Sequence, residues 1–497
     1  MSSVTTDIPA RLDRLPWARW HWLVLVGLGS VWILDGLEVT IVGAIGSRIT
    51  EPGSGLEISE AQVGFAASVY IIGACSGALF FGHLTERYGR RRIFLVTLGV
   101  YLAATALTAF SPNVWWFYAC RFFTGFGVGG EYAAINSAID EMVPARLRGR
   151  IALIINGSYW LGAAAGAAMA YPLLNPEILP EDIGWRATFA IGGALGLIIL
   201  VVRRVVPESP RWLVIHGREE EAEQVVRGIE QEVAAETHRD RLPPIDPNRV
   251  LTLRQRDTTT FRELAATMVR TYPRRTVLGL SLFMGQAFLY NAVFFTQALV
   301  LTVFFGVPSG LAPLFIIPLA LGNFLGPVLL GPLFDTVGRK PMIAGTYIGS
   351  GLLLVGTGVL FQNGLLTAVT LTVCWCVVFF VASAGASSAY LTVSEIFPME
   401  TRPQAIALFY ATGTALGGIL GPGLFGILVG SGEAGRVAFG YYLGAGLMIA
   451  AGIVEILIGV EAARRSLEDI AAPLSAERTR RSATPPGRPS ASATPPS

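Results

Sequence analysis

Long apolar stretches, separated by shorter polar ones, run from residue 22 to residue 460 of the chain. A helix needs about 20 residues at 1.5 Å each to cross a bilayer core of about 30 Å. Twelve windows of about this length can be placed, six before a long polar stretch and six after it. The windows are 22–46, 61–82, 93–110, 115–139, 150–172, 184–206, 276–302, 310–334, 341–361, 364–393, 405–430 and 434–460. The pattern predicts an all-α integral membrane protein with twelve transmembrane helices.

The composition agrees with this interpretation. Hydrophobic residues make up 52% of the 497 positions and charged residues only 14%, whereas a soluble protein carries roughly a quarter charged residues. The first apolar run is too long for the core of a signal peptide, so we expect it to be retained as the first span. The four cysteines lie within apolar windows, which favours neither a disulfide framework nor a metal site.

Basic residues lie mostly in the polar segments on one side of the predicted helices. Most of the 37 are in the N-terminus, the central polar stretch, the tail and the loops after the second, fourth, eighth and tenth windows. Basic loops remain in the cytoplasm, so both termini are predicted to be cytoplasmic. We expect a multi-pass protein of the plasma membrane, in a bacterium the inner membrane.

These observations divide the chain into five parts. Residues 1–21 form a cytoplasmic N-terminus, 22–206 a six-helix bundle, 207–275 a cytoplasmic linker, 276–460 a second six-helix bundle and 461–497 a cytoplasmic tail. Helical patterning in the linker predicts short amphipathic helices. The tail repeats Ser-Ala-Thr-Pro-Pro and has little to bury, so we expect most of it to be disordered.

Two polar motifs occur twice in the same order. Gly-His-Leu-Thr-Glu-Arg-Tyr-Gly-Arg-Arg at 82–91 matches Gly-Pro-Leu-Phe-Asp-Thr-Val-Gly-Arg-Lys at 331–340. The second motif consists of Glu141, Pro144 and Arg148, and then of Glu395, Pro398 and Arg402. The repeat predicts two related six-helix halves. Because each half has an even number of spans, both halves should run in the same direction about an axis along the membrane normal.

These motifs resemble those of the major facilitator superfamily, within it the sugar-porter-like and metabolite–proton symporter branch. The resemblance covers residues 20 to 470 and includes three further motifs. They are Arg-x-x-x-Gly-x-Gly-x-Gly from Arg121, Pro-Glu-Ser-Pro-Arg-Trp-Leu at 207–213 and Arg-Ser-Leu-Glu-Asp-Ile at 465–470. The resemblance implies the major facilitator fold and a secondary transporter whose two halves rock about a midplane site.

The loop motifs predict a latch that opens and closes one face of the molecule. A cytoplasmic acid flanked by arginines can pair with a neighbouring helix end and then release it, and glycines let helices approach closely. The alternative is that these charges only set the topology. The candidate gating residues are Gly82, Glu86, Arg87, Gly89, Arg90, Glu141, Arg148, Glu208, Arg211, Asp335, Gly338, Arg339, Glu395 and Arg402.

Ionisable residues within predicted spans are costly and generally functional. Asp35 lies in the first window and Arg121 in the fourth, at equal predicted depth, so we expect them to pair and protonation of Asp35 to release the pair. The resemblance implies the same proton-coupling role, and a purely structural pair is the alternative. Glu38 lies on nearly the same face as Asp35 and is a second proton site or a substrate contact. Glu131 and Glu455 either line the cavity or reach the interface.

Polar and aromatic side chains within apolar windows mark the predicted substrate cavity. The candidates are Asn156, Tyr159, Gln286, Tyr290, Asn291 and Tyr390. The resemblance implies that they occupy sugar-porter binding positions, but Gly285 replaces one glutamine and Tyr390 replaces a tryptophan. We therefore expect a small organic metabolite other than a common hexose. Each candidate could instead serve helix packing.

The sequence thus predicts a secondary active transporter of a small organic metabolite, driven by proton symport. A sugar transporter, a drug–proton antiporter and a non-transporting receptor-like protein are the alternatives. No nucleophile–base constellation indicates an enzyme, and we expect no cofactor, no metal and no nucleic-acid partner. The glycines at 125–130 fit a dinucleotide motif, but no strand precedes them, so we assign them to helix packing. The protein is expected to be monomeric.

Overall fold

The computed structural model describes residues 3–45, 48–50, 52–56, 58–175, 178–202, 208–236, 242–245, 251–254, 261–308 and 311–474. Residues 475–497, which form most of the predicted disordered tail, lie outside the described residues.

Helices form almost all of the described chain. The first half contains α1 (Ile8–Asp13), α2 (Arg19–Ile45), α3 (Glu60–Tyr88), α4 (Arg90–Thr108), α5 (Val114–Met142), α6 (Arg148–Leu173) and α7 (Glu181–Val202). The centre contains α8 (Pro210–Ile215), α9 (Glu219–Glu236) and α10 (Phe261–Ala266). The second half contains α11 (Pro273–Phe305), α12 (Ala312–Thr336), α13 (Arg339–Gln362), α14 (Ala368–Ile396), α15 (Arg402–Gly430), α16 (Ala434–Ile458) and α17 (Leu467–Ile470).

Eight of these helices are long and apolar enough to cross a membrane, counted within the described residues. They are α2, α3, α4, α6, α12, α13, α14 and α16. The helices α5, α7, α11 and α15 are also long and lie between them in the chain. That all twelve cross the membrane stays a prediction.

Local sequence signals define several helix starts. Ser59 Oγ accepts a hydrogen bond from the Gln62 N–H, and the Gln62 side chain accepts one from the Ser59 N–H, which is a capping box at the start of α3. Asn113 Oδ1 accepts from the Trp116 N–H in the first turn of α5. These caps satisfy backbone donors that a helix start leaves without intrahelical partners.

The long helices pack into two groups that follow the chain order. In the first half α3 packs on α5 and α2 on α6, and in the second half α13 packs on α16 and α11 on α15. The halves meet where α6 packs on α12 and α3 on α15. A central cavity lies between them, and its position follows from these two contacts.

Glycines set the closest helix approach. A Cβ atom at Gly36 in α2 would lie 1.8 Å from the carbonyl oxygen of Tyr159, and one at Gly162 in α6 would lie 1.7 Å from that of Ile33. No side chain fits at these distances. The backbones of α2 and α6 can therefore touch only because both positions lack a Cβ.

A layer of short elements covers one end of the helices. We call this end the arginine-rich face; it carries α1, α8, α9 and the loops at 89, 143–147, 338 and 397–401. The amphipathic α9 buries Ala222, Val226, Ile229 and Val233, which recur at helical spacing. Most of the other residues of α9 are charged or polar, as expected for a helix that is covered on one side.

The structure adds a small sheet to the expected all-α fold. Strand β1 (Ser3–Thr6) pairs antiparallel with β2 (Leu251–Arg254), with Ser3 opposite Arg254 and Thr6 opposite Leu251. Each strand has four residues, too few for a period-two pattern to stand out from the sequence. The pairing ties the N-terminus to the central segment.

We predict that Gly162→Ala destabilises the protein by separating α2 from α6. Overpacking of this kind costs ~1–3 kcal/mol, so the melting temperature of the detergent-solubilised protein should fall. The matched control is Gly356→Ala in α13, where an added Cβ would meet nothing within 4 Å, and its melting temperature should be unchanged or slightly higher. Equal melting temperatures for both variants would contradict the packing role of Gly162.

Candidate functional site: a latch, a buried ion pair and a central cavity

Two ion pairs at the arginine-rich face cross between the halves of the chain. Arg148 at the start of α6 lies 3.8 Å from the carboxylate of Glu395 at the end of α14. Arg402 at the start of α15 lies 3.7 Å from the carboxylate of Glu141 at the end of α5. All four side chains are buried. The repeated motif of the sequence therefore supplies one acid and one arginine from each half, and each arginine contacts the acid of the other half.

Arg339 lies at the centre of this latch. Its Nε and Nη2 atoms donate to the two carboxylate oxygens of Glu395, both at 3.0 Å, and Nη1 donates to Asp335 at 2.8 Å. Such bidentate pairing is the strong form of an arginine–carboxylate contact.

Asp335 also binds the first half of the chain. Its two carboxylate oxygens accept hydrogen bonds from the N–H groups of Gly149 at 3.1 Å and Arg150 at 2.7 Å, in the first turn of α6. Free N–H groups and the helix dipole favour a negative charge there. A Cβ at Gly149 would lie 2.2 Å from Arg339 and 2.6 Å from Asp335, so the contact requires glycine.

Two further carboxylates hold the starts of α4 and α13. Glu208 accepts an N–H bond from the first turn of α4 at 3.1 Å, and Glu461 accepts the Arg339 N–H at 2.8 Å. The preceding glycines, Gly89 and Gly338, have φ values of 93° and 122°, which side chains rarely adopt. A Cβ at either glycine would also collide with the carboxylate that faces it. Both halves thus begin a helix in the same way: a glycine with positive φ precedes it, and a distant carboxylate accepts an N–H bond from its first turn.

The remaining candidate gating residues lie around this centre. Ser209 Oγ donates a hydrogen bond to Glu141, and Arg211 Nε lies 3.4 Å from Glu468. Gly82 lies where α3 meets α15 and would collide with Ala407 if it carried a Cβ. The structure does not bring Arg87 to the centre: its side chain is exposed and lies over the ring of Tyr88. Glu86 lies in α3 and Arg90 begins α4, but both side chains lie outside the described part of the structure.

Three acids of this face were missed by the sequence analysis as site residues: Asp13, Glu461 and Glu468. A comparison of the repeats could have found Glu461, because Glu461 precedes Arg464 as Glu208 precedes Arg211. Nothing in the local sequence marks Asp13, which reaches the latch through the fold of the N-terminus.

The predicted pair of Asp35 with Arg121 is wrong: the structure pairs Arg121 with Glu38. Nη1 of Arg121 donates to Glu38 Oε1 at 2.6 Å, and both side chains are buried. Glu38 lies about one helical turn beyond Asp35, ~4.5 Å along the axis. The predicted depths came from counting residues from the helix ends. Helix tilt and side-chain length shift the depth of a charged group by about one helical turn, so this count could not distinguish Asp35 from Glu38.

The surroundings of Arg121 fix its guanidinium. Nη2 donates to Thr108 Oγ1 at 3.0 Å and to Thr124 Oγ1 at 3.2 Å, and the guanidinium carbon lies 4.7 Å from the ring centre of Phe189. Two hydroxyls, one carboxylate and an aromatic face therefore replace the water that a charge at this depth would lose.

Asp35 lies in α2 one turn before Glu38 and is fully buried. Its charge acts on the hydroxyl groups of Tyr132 and Tyr159, both of which line the central cavity. Asp35 is thus electrostatically coupled to the cavity wall, although it is not itself part of the lining.

The central cavity has a volume of about 190 Å³. All six predicted substrate contacts line it: Asn156, Tyr159, Gln286, Tyr290, Asn291 and Tyr390. The structure adds aromatic residues that the sequence analysis did not single out: Trp32, Tyr70, Tyr132, Trp160, Phe294 and Tyr410. A single aromatic residue within an apolar window resembles ordinary packing, so no sequence signal identified them.

The aromatic rings form a continuous wall. Trp32 stacks on Tyr132 with ring centres 4.6 Å apart, and Tyr132 meets the edge of Tyr410 at 4.5 Å. Trp32 and Tyr132 also lie 6.1 and 6.2 Å from Tyr390 across the two halves. Aromatic pairs prefer these stacked and edge-to-face arrangements.

Amide groups supply the polar side of the cavity. Asn156 Nδ2 donates to Asn136 Oδ1 at 3.1 Å, whereas Asn156 Oδ1 has no hydrogen-bond partner among the described residues. Asn291 Nδ2 donates to the Ala287 carbonyl at 2.7 Å. The described lining contains no charged residue, and neither Glu131 nor Glu455 belongs to it. The cavity is therefore suited to a ring with a few polar substituents.

Two groups of long apolar helices around a central cavity, with an ionic latch at one face, define a multi-pass membrane transporter. The chain belongs to the sugar (and other) transporter family, whose model matches residues 38–473. It is accordingly a transporter rather than an enzyme.

Curated relatives transport different small molecules. The chain is 27% identical over 465 residues to the niacin transporter NiaP of Acinetobacter baylyi, a match that covers 93% of this chain and 99% of NiaP. It is 26% identical to the 4-hydroxybenzoate transporter PcaK of Pseudomonas aeruginosa, over 86% of this chain and 88% of PcaK. It is 28% identical to the major myo-inositol transporter IolT of Bacillus subtilis, over 74% of this chain and 77% of IolT.

Solved structures share the fold. The major facilitator superfamily proton:xylose symporter XylE, bound to 6-bromo-6-deoxy-D-glucose, matches with a TM-score of 0.74 at 20% identity, over 91% of this chain and 98% of XylE. A partially occluded inward-open form of XylE from E. coli matches with a TM-score of 0.67. The predicted major facilitator fold is confirmed by these matches.

We predict that Glu395→Gln opens the arginine-rich face. The substitution leaves Arg339 and Arg148 without a charged partner on α14, and breaking a buried pair costs about 3 kcal/mol or more. The reporter is a cysteine at the buried Leu153 of α6, in a protein whose native cysteines are replaced by alanine. Maleimide labelling in detergent should become at least about tenfold faster, the equivalent of ~1.4 kcal/mol.

The control for this variant is Glu433→Gln. Glu433 pairs with Arg436 at 2.8 Å in an exposed position between α15 and α16, at the opposite end of the helices. Its loss should leave the labelling rate unchanged. Equal rates for Glu395→Gln and the parent protein would refute the latch.

Proposed function

We propose that this protein is a proton-coupled symporter that carries a small aromatic carboxylic acid across the membrane by alternating access. This proposal rests on the aromatic-walled cavity, whose described lining is uncharged, and on a buried carboxylate–arginine pair that joins α2 to α5, two helices that line the cavity. The transporter acts as a monomer in this proposal, since each half contributes to the one cavity.

The latch supports alternating access. Its charge pairs join α6 to α14 and α15 to α5, and so close the arginine-rich face. For a ligand to leave through this face, those pairs must separate and become hydrated. We place the arginine-rich face in the cytoplasm, because basic segments are retained there, and both termini with it.

The two buried acids of α2, Asp35 and Glu38, have different roles in proton coupling in this proposal. Glu38 is already neutralised by Arg121 at 2.6 Å. Asp35, one turn earlier in α2, is fully buried, and its charge acts on the cavity tyrosines Tyr132 and Tyr159. We therefore assign proton binding to Asp35, and assign to the Glu38–Arg121 pair the rearrangement that protonation sets off.

The cavity favours a flat ring as the substrate. Its volume of about 190 Å³ is slightly larger than a cavity of about 150 Å³ that binds benzene. The aromatic wall offers faces and edges for stacking, and the amides of Gln286 and Asn291 offer donors for a carboxylate. Because no cation lines the described cavity, a carboxylate that moves together with a proton fits better than a bare anion. The niacin and 4-hydroxybenzoate transporters among the relatives agree with this class.

A sugar or polyol is the second candidate. The same amides could bind hydroxyl groups, and the relatives include a myo-inositol transporter. The many aromatic side chains in the cavity wall favour the aromatic carboxylic acid over the sugar or polyol. A comparison of how tightly aromatic acids and sugars or polyols bind to the purified protein distinguishes the two candidates.

We predict that Asp35→Asn abolishes accumulation driven by a proton gradient while substrate exchange continues. Without a titratable carboxyl the gradient can no longer be coupled to the substrate, whereas the two conformations still interconvert. Uptake and counterflow in proteoliposomes measure both activities. The same change at another buried acid, Glu455→Gln in α16, is the control and should retain accumulation. Normal accumulation by Asp35→Asn would rule out the assignment.

We predict that nicotinate or 4-hydroxybenzoate raises the melting temperature of the purified protein, and that xylose and myo-inositol do not. Trp32→Ala should weaken binding of the active ligand about tenfold, since an aromatic pair contributes ~0.5–1.5 kcal/mol beyond its buried area. Titration of the melting shift gives the affinity. Trp115→Ala, at a highly exposed tryptophan outside the cavity, is the control. A shift with the sugars alone would favour the second candidate.

A further inference from the structure

The N-terminal arm, residues 3–15, folds onto the arginine-rich face. Its strand β1 pairs with β2, and its helix α1 contacts α8 and α9. The family match begins at residue 38, so the arm precedes the matched segment. Its position is therefore a feature that the family match does not explain.

Two arginines anchor the arm to α9. Arg11 donates to Glu223 at 2.6 Å and to both oxygens of Glu230 at 3.2 and 2.7 Å. Arg14 donates to Glu230 at 2.6 Å and to the Pro243 carbonyl at 2.8 Å. Arg11 and Glu230 are mostly buried, so these contacts hold α1 in a defined place.

The anchoring acids remain ionised at neutral pH. The hydrogen bond from Arg11 lowers the pKa of Glu223 below its ordinary value. Burial raises the pKa of Glu230, but the hydrogen bonds from Arg11 and Arg14 outweigh this effect and lower it overall. The pairs therefore stabilise the contact between the arm and α9 at neutral pH. This stabilisation is lost only as the pH falls through the lowered pKa values of Glu223 and Glu230.

The anchored arm brings Asp13 to the latch. Asp13 Oδ1 lies 3.5 Å from Arg148 and 4.0 Å from Arg211, and it accepts the Ala145 N–H at 3.3 Å. The Asp13 side chain is only 7% exposed. Arg146 adds a hydrogen bond to the Leu15 carbonyl at 2.6 Å. One carboxylate of the arm thus faces both Arg148, at the start of α6, and Arg211, in α8.

The same two arginines reach across to the second half. Arg148 contacts Glu395 at 3.8 Å and the Arg465 carbonyl at 3.3 Å, and Arg211 contacts Glu468 at 3.4 Å. Both guanidinium groups are buried and approach a single oxygen of Asp13. Like charges so close together without water need a counterion between them. When this face opens, water takes over that role.

We propose that Asp13 is a gating residue and that the N-terminal arm is part of the latch: the arm supplies the carboxylate that keeps Arg148 and Arg211 together in the closed form. Removing the carboxylate, or releasing the arm, shifts the protein towards the form that is open at the arginine-rich face. The proposal rests on the alternating access proposed above, but its test needs no substrate.

The test uses the full chain in detergent, with the reporter cysteine at Leu153. Asp13→Asn should raise the maleimide labelling rate about fivefold or more. The double variant Arg11→Gln and Arg14→Gln releases the arm without touching the latch and should act in the same direction, which covers the case in which Asp13→Asn does not fold. Asp7→Asn is the matched control. Asp7 lies on the same arm, is 39% exposed and makes only a 3.7 Å contact with Arg11, so labelling should stay at the parent rate.

An unchanged or slower labelling rate in both arm variants overturns the proposal. Glu395→Gln, measured in parallel, separates this failure from that of the proposed function. If Glu395→Gln accelerates labelling and the arm variants do not, the latch opens without help from the arm. If none of the variants responds, the latch itself is refuted, and the arm proposal with it.

Discussion

The crossed ion pairs, Arg148 with Glu395 and Arg402 with Glu141, are the constraint on which the rest of the structure depends. Each pair joins a helix start in one half to a helix end in the other. Buried charges are tolerable only with partners, so these side chains must either meet across the halves or be exposed to water. Under the alternating access proposed above, this choice distinguishes a closed from an open arrangement of the face.

The helices that carry the latch also line the cavity. The helix α6 begins at Arg148 and brings Asn156 and Tyr159 to the cavity about two to three turns later. The helix α14 brings Tyr390 to the cavity and ends with the motif that contains Glu395. The latch and part of the cavity wall therefore lie on the same helices, α6 and α14. The ion pair of Arg121 with Glu38 joins α5 to α2, and both of these helices also supply lining residues of the cavity.

Much of the site was predictable because the chemistry recurs in the sequence. The repeated motifs contain the four residues of the crossed pairs, although they do not show which acid meets which arginine, and polar residues in apolar windows identified six residues of the cavity lining. The choice between Asp35 and Glu38 as the partner of Arg121 was not predictable, since both acids lie on one side of α2 and the outcome depends on the tilt and contact of α2 and α5. The aromatic wall was hidden for a related reason: in a membrane helix, a tyrosine that packs and a tyrosine that faces a cavity look alike.

The sequence by itself determined the class of protein, the approximate helical segments and the internal repeat, because apolar length, charge asymmetry and motif spacing are properties of the chain read in order. The tertiary structure alone decided which acid meets which arginine, and that the N-terminus folds back to place Asp13 between Arg148 and Arg211. Most of these contacts join residues far apart in the chain; Glu38 and Arg121, which are among the nearer pairs, are 83 positions apart. Their distances depend on helix tilt, close approach at glycines and the pairing of two short strands, none of which a local pattern encodes.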